Sequence, residues 1–314
     1  SHFISTASWK DMDTSPDYVR SCYWLATVLG MDANLTWFWA RDPDGSPEER
    51  LETAQEFEDP ALAGSYAGSV NMQPQAANEY TQVMIDLNAF SEEIMLLRRQ
   101  RRPIRLFHSE TSAINKHHHM TEQFALYEAL HFEGMPLGFV TEKILRKQNH
   151  RDWDVVLVYR TEYVTDPEFD ELQRYLDDGG VVIVDRRSLT MNEYGEARED
   201  QLRESAGTLI RVHSTASVQA FKEKALVVVA HQRPSVVLSE DHGSPYKGCI
   251  WRVASRAGAG PILTVMNVGH CTARLRTSFS KGGRAVCKDM LTGQALGSTF
   301  ELSPNGVLLL EVAE

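Results

Sequence analysis

The feature that most restricts this chain lies between residues 103 and 199. There, short apolar runs, "PIRLFH", "PLGFVT", "VVLVY" and "VVIVD", alternate with the helical stretches "MTEQFALYEALHFEG" and "DPEFDELQRYLDDGG". Runs of four or five apolar residues without alternation belong to strands buried on both faces. Helices between such strands act as crossovers and make the sheet parallel. The pattern predicts a flavodoxin-like α/β domain over 103–201. Asp166 with Pro167 opens its later helix and Gly179 with Gly180 closes it.

On either side the texture changes. Residues 1–102 offer a helix over "SPDYVRSCYWLATVLG", an aromatic strand "ANLTWFWA", a polar stretch from Arg41 to about Gln75, and one long helix over "AANEYTQVMIDLNAFSEEIMLLRRQ". Residues 202–314 read as a β-sandwich. "GTLIRVH", "ALVVVAH", "CIWRVAS", "PILTVMNVG", "ARLRTSFS", "RAVCKDM", "GSTFELS" and "GVLLLEVAE" are strand-length runs set apart by Gly, Pro, Ser and Asn.

Charge narrows the partners. With 32 basic and 43 acidic side chains the formal charge is −11, which repels phosphate backbones and anionic lipid. Neither nucleic acid nor membrane is expected, and no run approaches the length of a membrane span. The one basic run, Arg98, Arg99, Arg101, Arg102 and Arg105, reads as a solvated helix terminus or a linker. Cys22, Cys249, Cys271 and Cys287 lack C-x-x-C spacing, so neither a zinc knuckle nor a redox pair is expected. A soluble chain is expected, the cytoplasm being favoured. The opening "SHFISTASWK" has no initiator Met and reads as the interior of a longer protein.

Two stretches could carry chemistry. "RLFHSETSAINKHHHM" sits where the first parallel strand ends. It lacks the G-x-S-x-G elbow that would expose Ser109 as a nucleophile, and His108 and Glu110 point away from that serine along an extended chain. His117, His118 and His119 are about 100° apart on a helix and do not converge on a metal; they read as a solvated helix start, and no metal site is expected. Position matters more than motif here, because ligands of open parallel sheets bind at the strands' carboxyl ends where strand order reverses. His108, Glu110 and Arg160 therefore form a possible cleft, in which Glu110 faces Arg160 either as a structural ion pair or as a ligand group. The second stretch is "LTWFWARDPDG". Trp37 and Trp39 share one face of a strand, with Arg41 and Asp42 at its carboxyl end. Aromatic faces stack on the C–H faces of sugars while Arg and Asp bond hydroxyls, so the four are candidate carbohydrate-binding residues; two buried core tryptophans are the alternative.

"GMDANLTWFWARDPDGS", "RPIRLFHSETSAINK", "YEALHFEGMPLGFVTEKIL", "WDVVLVYRTEYVTD" and "CKDMLTG…FELSPNGVLLLEV" together resemble the carboxyl-terminal part of β-galactosidase-like glycoside hydrolases of family 42 type. The resemblance implies a (β/α)8 barrel remnant over 1–102, a trimerisation-type domain over 103–201 and a β-sandwich over 202–314. It implies retaining hydrolysis of β-glycosides without a cofactor, a carbohydrate ligand, and a homo-oligomer, trimer or dimer. Trp37 and Trp39 would lie on the barrel's eighth strand, with Arg41 and Asp42 at the pocket rim. The two catalytic carboxylates of the family are expected upstream of residue 1, so this segment alone is expected to be inactive. The alternatives are a non-catalytic oligomerisation or carbohydrate-binding protein, and a repurposed hydrolase or esterase using Glu110 or Asp185.

Overall fold

The computed structural model describes residues 15–34, 74–148, 150–213, 217–241 and 247–313. They divide into two units, one drawn from Gln100–Val237 with Ile250–Arg252, the other from Ser1–Arg99, Leu238–Cys249 and Val253–Glu314.

The first of these units is the α/β domain. Its strands are β1 (Ile104–Phe107), β2 (Leu137–Val140), β3 (Val155–Val158), β4 (Val181–Asp185) and β5 (Thr208–Val212), all parallel, in the order β2-β1-β3-β4-β5. This is the flavodoxin-like order, in which the sheet turns back on itself between β1 and β3. The unbroken apolar runs have a plain cause. Val155 and Leu157 of β3 belong to a core shared with Leu126, Leu130, Phe221 and Ala225. Val156 and Val158, pointing the other way, join Leu145, Leu172 and Leu176. Helices α5 (His119–His131) and α8 (Val218–Val228) supply the first set of partners, and α6 (Glu142–Lys147) and α7 (Asp166–Asp177) the second. A short α4 (Glu110–Asn115) precedes α5. α7 starts on a capping box in which the Thr165 side chain accepts from Glu168 N and the Glu168 carboxylate accepts from Thr165 N.

Two stretches expected in the sandwich lie here instead. "GTLIRVH" contains β5, which pairs with β4 over five residues. As the sheet's edge strand it is partly exposed, and this gave it the alternating look of a sandwich strand. "ALVVVAH" is the end of α8 and the turn after it. Its three valines suggested a strand, but the helix is fixed by Phe221 and Ala225 packing one turn apart.

The second unit holds α1 (Pro16–Leu29), α2 (Pro74–Ala89), α3 (Ser91–Arg98) and most of two antiparallel sheets. These have the orders β11-β10-β13-β8-β7 and β12-β9-β6. Their strands are β6 (Val236–Asp241), β7 (Cys249–Ala254), β8 (Ile262–Asn267), β9 (Ala273–Phe279), β10 (Val286–Asp289), β11 (Ala295–Gly297), β12 (Thr299–Leu302) and β13 (Val307–Ala313). Pro16 at the first turn and Gly30 at φ 114° bound α1 as the sequence suggests. Its apolar face does not stand bare. Fully buried Trp24 donates its indole N–H to Thr264 Oγ1 on β8 at 2.9 Å, and Arg20 is held by Glu79 and, at 2.7 Å, by Asp86 of α2. The expected single helix over 76–100 is broken at Phe90, whose φ of −105° and ψ of 30° separate α2 from α3. Arg98 then bonds the carbonyls of Gly30 and Met31 just beyond α1. Among the described residues no helix is long and apolar enough to cross a membrane.

Candidate functional site

The point where strand order reverses lies at the carboxyl ends of β1 and β3, so the segments that matter are His108–Ser109 and Tyr159–Tyr163. Elsewhere such a crevice takes a ligand. In this chain its own side chains use the backbone groups that a ligand would meet. Ser109, the N-cap of α4, accepts from Ser112 N and donates to Tyr163 O at 3.1 Å. Ser112 also donates to Tyr163 O, at 2.6 Å, and accepts from Tyr163 N at 3.0 Å. Lys116 donates to Arg160 O at 3.1 Å and lies 3.1 Å from the Glu162 carboxylate and 2.6 Å from that of Glu122. Gln123, one turn along α5 from His119, donates to Tyr159 O and, at 3.4 Å, to Thr161 Oγ1.

Asp185, at the end of β4, closes the third side. Its Oδ2 accepts from Arg160 N at 2.7 Å, and its Oδ1 accepts from Arg187 N at 2.8 Å and Ser188 N at 2.9 Å. Ser188 Oγ in turn accepts from Thr161 N and donates to Val158 O. Both carboxylate oxygens are committed to backbone donors, and this is the geometry of a clasp, not of a proton-transferring base. The clasp also explains Arg160, a non-glycine residue at φ 54°; its N–H is fixed by Asp185 and its C=O by Lys116.

His119 is the second surprise. Of the three adjacent histidines, His117 and His118 are exposed as expected, but His119 is fully buried. Its Nδ1 lies 3.4 Å from Arg160 O, a group that only accepts, so Nδ1 carries the proton. Its Nε2 is buried with no hydrogen-bond partner, and so is Gln123 Oε1. Burial lowers the His119 pKa, aided by the nearby charges of Lys116 and His108, while the bond to Arg160 O and Glu122 oppose the shift.

The structure therefore brings His108 and Arg160 to one place. The His108 ring lies 6.3 Å from that of His119, and the Arg160 guanidinium carbon is 5.6 Å from the Tyr159 ring centroid. Glu110 is exposed as the first residue of α4, and no ion pair joins it to Arg160 among the described residues. The carboxylate bonded to Arg160 is that of Asp185, which accepts from its backbone N–H. Lys116, His119, Gln123 and Ser188 were missed by sequence reasoning, since each acts through a long-range contact to backbone that spacing does not reveal. Trp37, Trp39, Arg41 and Asp42 lie outside the described residues. Among the described residues no group of three or more His, Cys, Asp or Glu is arranged to hold a metal ion.

No protein-family model matches the sequence. No curated protein matches it either. Solved structures do. The chain is similar to the apo exo-carrageenase GH42 from Bacteroides ovatus, with 36% identity and a TM-score of 0.85 over 96% of this chain and 39% of that one. It is similar in fold to a catalytic mutant of Gan42B, a GH42 β-galactosidase from G. stearothermophilus, with 11% identity and a TM-score of 0.66 over 96% of this chain and 51% of that one. A β-galactosidase from Bacillus circulans sp. alkalophilus matches with 13% identity and a TM-score of 0.54 over 96% and 59% of the respective chains. The chain thus spans between 39% and 59% of the length of these three structures.

Proposed function

The chain has the fold of part of a GH42 glycoside hydrolase, and on that footing we propose that it contributes the sugar-binding wall and accessory domains of an enzyme acting on carrageenan-type galactans. The observation that carries this reading is the contrast in identity. An exo-carrageenase shares 36% of its aligned residues with this chain, whereas the two β-galactosidases share 11% and 13% and speak only for the fold. In this reading Trp37 and Trp39 stack on galactose rings while Arg41 and Asp42 bond hydroxyl or sulfate groups at the rim. Bond cleavage follows the retaining scheme, in which two carboxylates about 5–5.5 Å apart act as acid/base and nucleophile. We assign neither role to a Glu or Asp of this chain. The α/β unit mediates self-association into a trimer or dimer, as sedimentation would reveal.

The test is to titrate the 314-residue chain with a carrageenan oligosaccharide and to assay the same protein for release of reducing ends from that oligosaccharide and from nitrophenyl β-galactosides. Binding without turnover, lost in the Trp37→Ala, Trp39→Ala double variant, is the expected result. Turnover by the chain alone overturns the placement of the carboxylates elsewhere. Affinity unchanged in the double variant overturns the tryptophan wall.

A further inference from the structure

Charge is spread unevenly along this chain of formal charge −11. Residues 242–314 carry eight basic side chains against four acidic ones, and residues 273–288 hold Arg274, Arg276, Lys281, Arg284 and Lys288 with no Asp or Glu among them. In the structure these cations run along β9, around the turn after it and onto β10. β9 is the central strand of the β12-β9-β6 sheet, and its burial alternates: Ala273, Leu275 and Thr277 are buried, Arg274 and Arg276 exposed. The two arginines therefore share the outer face of that sheet, about 7 Å apart along the strand.

The turn adds a third arginine to the same face. Gly282 and Gly283, at φ 98° and 101°, let the chain double back, and Arg284 then pairs with Ser278 in an antiparallel bridge. Residues directly opposite in such a bridge project to the same side, and Ser278 follows Arg276 by two residues. Arg276 and Arg284 are therefore diagonal neighbours on one face, about 7–8 Å apart at the backbone. Lys281 stands exposed in the turn between them. Arg274 is answered by Glu301, 3.1 Å away on β12, whereas the residue opposite Arg276 on β12 is the neutral Thr299. Among the described residues no carboxylate pairs with Arg276, Lys281 or Arg284. Two long guanidinium side chains rooted this close, neither tied to an acid, can converge on the oxygens of one sulfate with directed bonds.

We propose that Arg276 and Arg284, with Lys281 beside them, form a surface subsite for a sulfate ester of an anionic galactan. The proposal rests on the carrageenan reading above and gives it a second point of attachment, carried by the antiparallel sheets and not by the tryptophan strand. A single-stranded nucleic acid would meet the same charges, but it is held by aromatic rings on which its bases stack, and among the described residues of 236–313 no Phe, Tyr or Trp is exposed. A sulfate ester projects from its sugar ring and is met by charge alone.

The test is calorimetric titration of the full chain, at two salt concentrations, with a carrageenan oligosaccharide, its desulfated counterpart and an oligodeoxythymidylate. Binding of the sulfated oligosaccharide should weaken as salt rises. Arg276→Gln and Arg284→Gln should each weaken it about tenfold, the size of a lost charge-assisted bond, and leave the desulfated one unaffected. Lys288→Gln removes a charge of the same sign from β10 in the other sheet and should leave affinity unchanged. All three side chains are exposed, so circular dichroism melts of these variants should match the parent. Affinity unmoved by either arginine substitution, or lowered as much by Lys288→Gln, overturns the subsite. An equal loss for the desulfated oligosaccharide overturns sulfate as its ligand, and oligodeoxythymidylate binding tighter than the sulfated sugar overturns the assignment to sugar. Binding that is lost in Trp37→Ala, Trp39→Ala but unmoved by Arg276→Gln and Arg284→Gln overturns this inference and keeps the proposed function; the converse pattern keeps the subsite and overturns the tryptophan wall.

Discussion

Asp185→Asn is the sharpest perturbation of the switch-point network, since it keeps shape and volume and changes only what one side of the carboxyl can do. In the native chain Oδ1 accepts from Arg187 N and Ser188 N, and Oδ2 accepts from Arg160 N at 2.7 Å. An asparagine can keep its oxygen towards Arg187 and Ser188, but its NH2 then meets Arg160 N–H, donor against donor. Turning the amide over satisfies Arg160 and strands Ser188 N, which is buried. Either way one sheltered N–H loses a charged acceptor, at a cost of about 1.5–3 kcal/mol. Arg160 adds to this. Its φ of 54° costs a non-glycine residue about 1–2 kcal/mol, and its N–H bond to Asp185 is one of the contacts holding it there. Losing that bond lets the loop relax, which recovers part of the strain energy, so we expect a net loss of about 2 kcal/mol. Urea unfolding followed by far-ultraviolet circular dichroism, together with amide hydrogen exchange at Arg160 and Ser188, reads this out. Exchange should accelerate at one of these two amides before any global change. A variant within 0.5 kcal/mol of the parent (roughly the scatter of neutral surface changes), with both amides as protected as before, would refute the clasp.

Burial holds His119 neutral and lowers its pKa, so the unfolded chain takes up its proton near the ordinary histidine value of about 6.5 while the folded chain does not. Stability should therefore fall as the pH drops below about 6.5, and His119→Gln should flatten that slope in urea titrations between pH 7 and 5. A Cβ at Gly134 would sit 2.3–2.4 Å from the Trp251 indole, and its φ of +74° disfavours any side chain, so Gly134→Ala should cost roughly 2–4 kcal/mol, seen as a lower melting temperature. Cys271 is exposed, whereas Cys249 and Cys287 are buried with thiol pKa values that burial pushes up; a thiol reagent should label Cys271 rapidly and leave those two unlabelled until the protein unfolds.

Periodicity carried most of the fold. "VVLVY" and "VVIVD" could only be strands covered on both faces, and Pro16, Gly30, Asp166 with Pro167 and Gly179 marked helix ends where the chain has them. It failed where tertiary packing overrode local preference. The valines of "ALVVVAH" favour a strand in isolation, yet the spacing of Phe221 and Ala225 turns the segment into a helix. Phe90 separates two helices without a proline or glycine to announce the break. For the site, strand order alone puts His108 and Arg160 just past the carboxyl ends of neighbouring strands β1 and β3. It could not see that Lys116, His119 and Gln123 reach across 36 to 44 residues to hold the carbonyls of Tyr159 and Arg160, or that Asp185 turns inward to hold the Arg160 amide.

The closed switch point bears on where this α/β unit can act. A flavodoxin-like sheet binds ligands through backbone N–H and C=O groups left open at the carboxyl ends of β1 and β3. Here Ser109, Ser112, Lys116, Gln123, Asp185 and Ser188 take those groups up, several of them twice. Opening the crevice for a ligand would mean breaking several sheltered hydrogen bonds at about 1 kcal/mol or more each, before any contact with the ligand is made. A binding role for the unit is therefore better sought on a surface whose groups already point outward. Asp185→Asn should therefore change stability and leave sugar affinity unmoved.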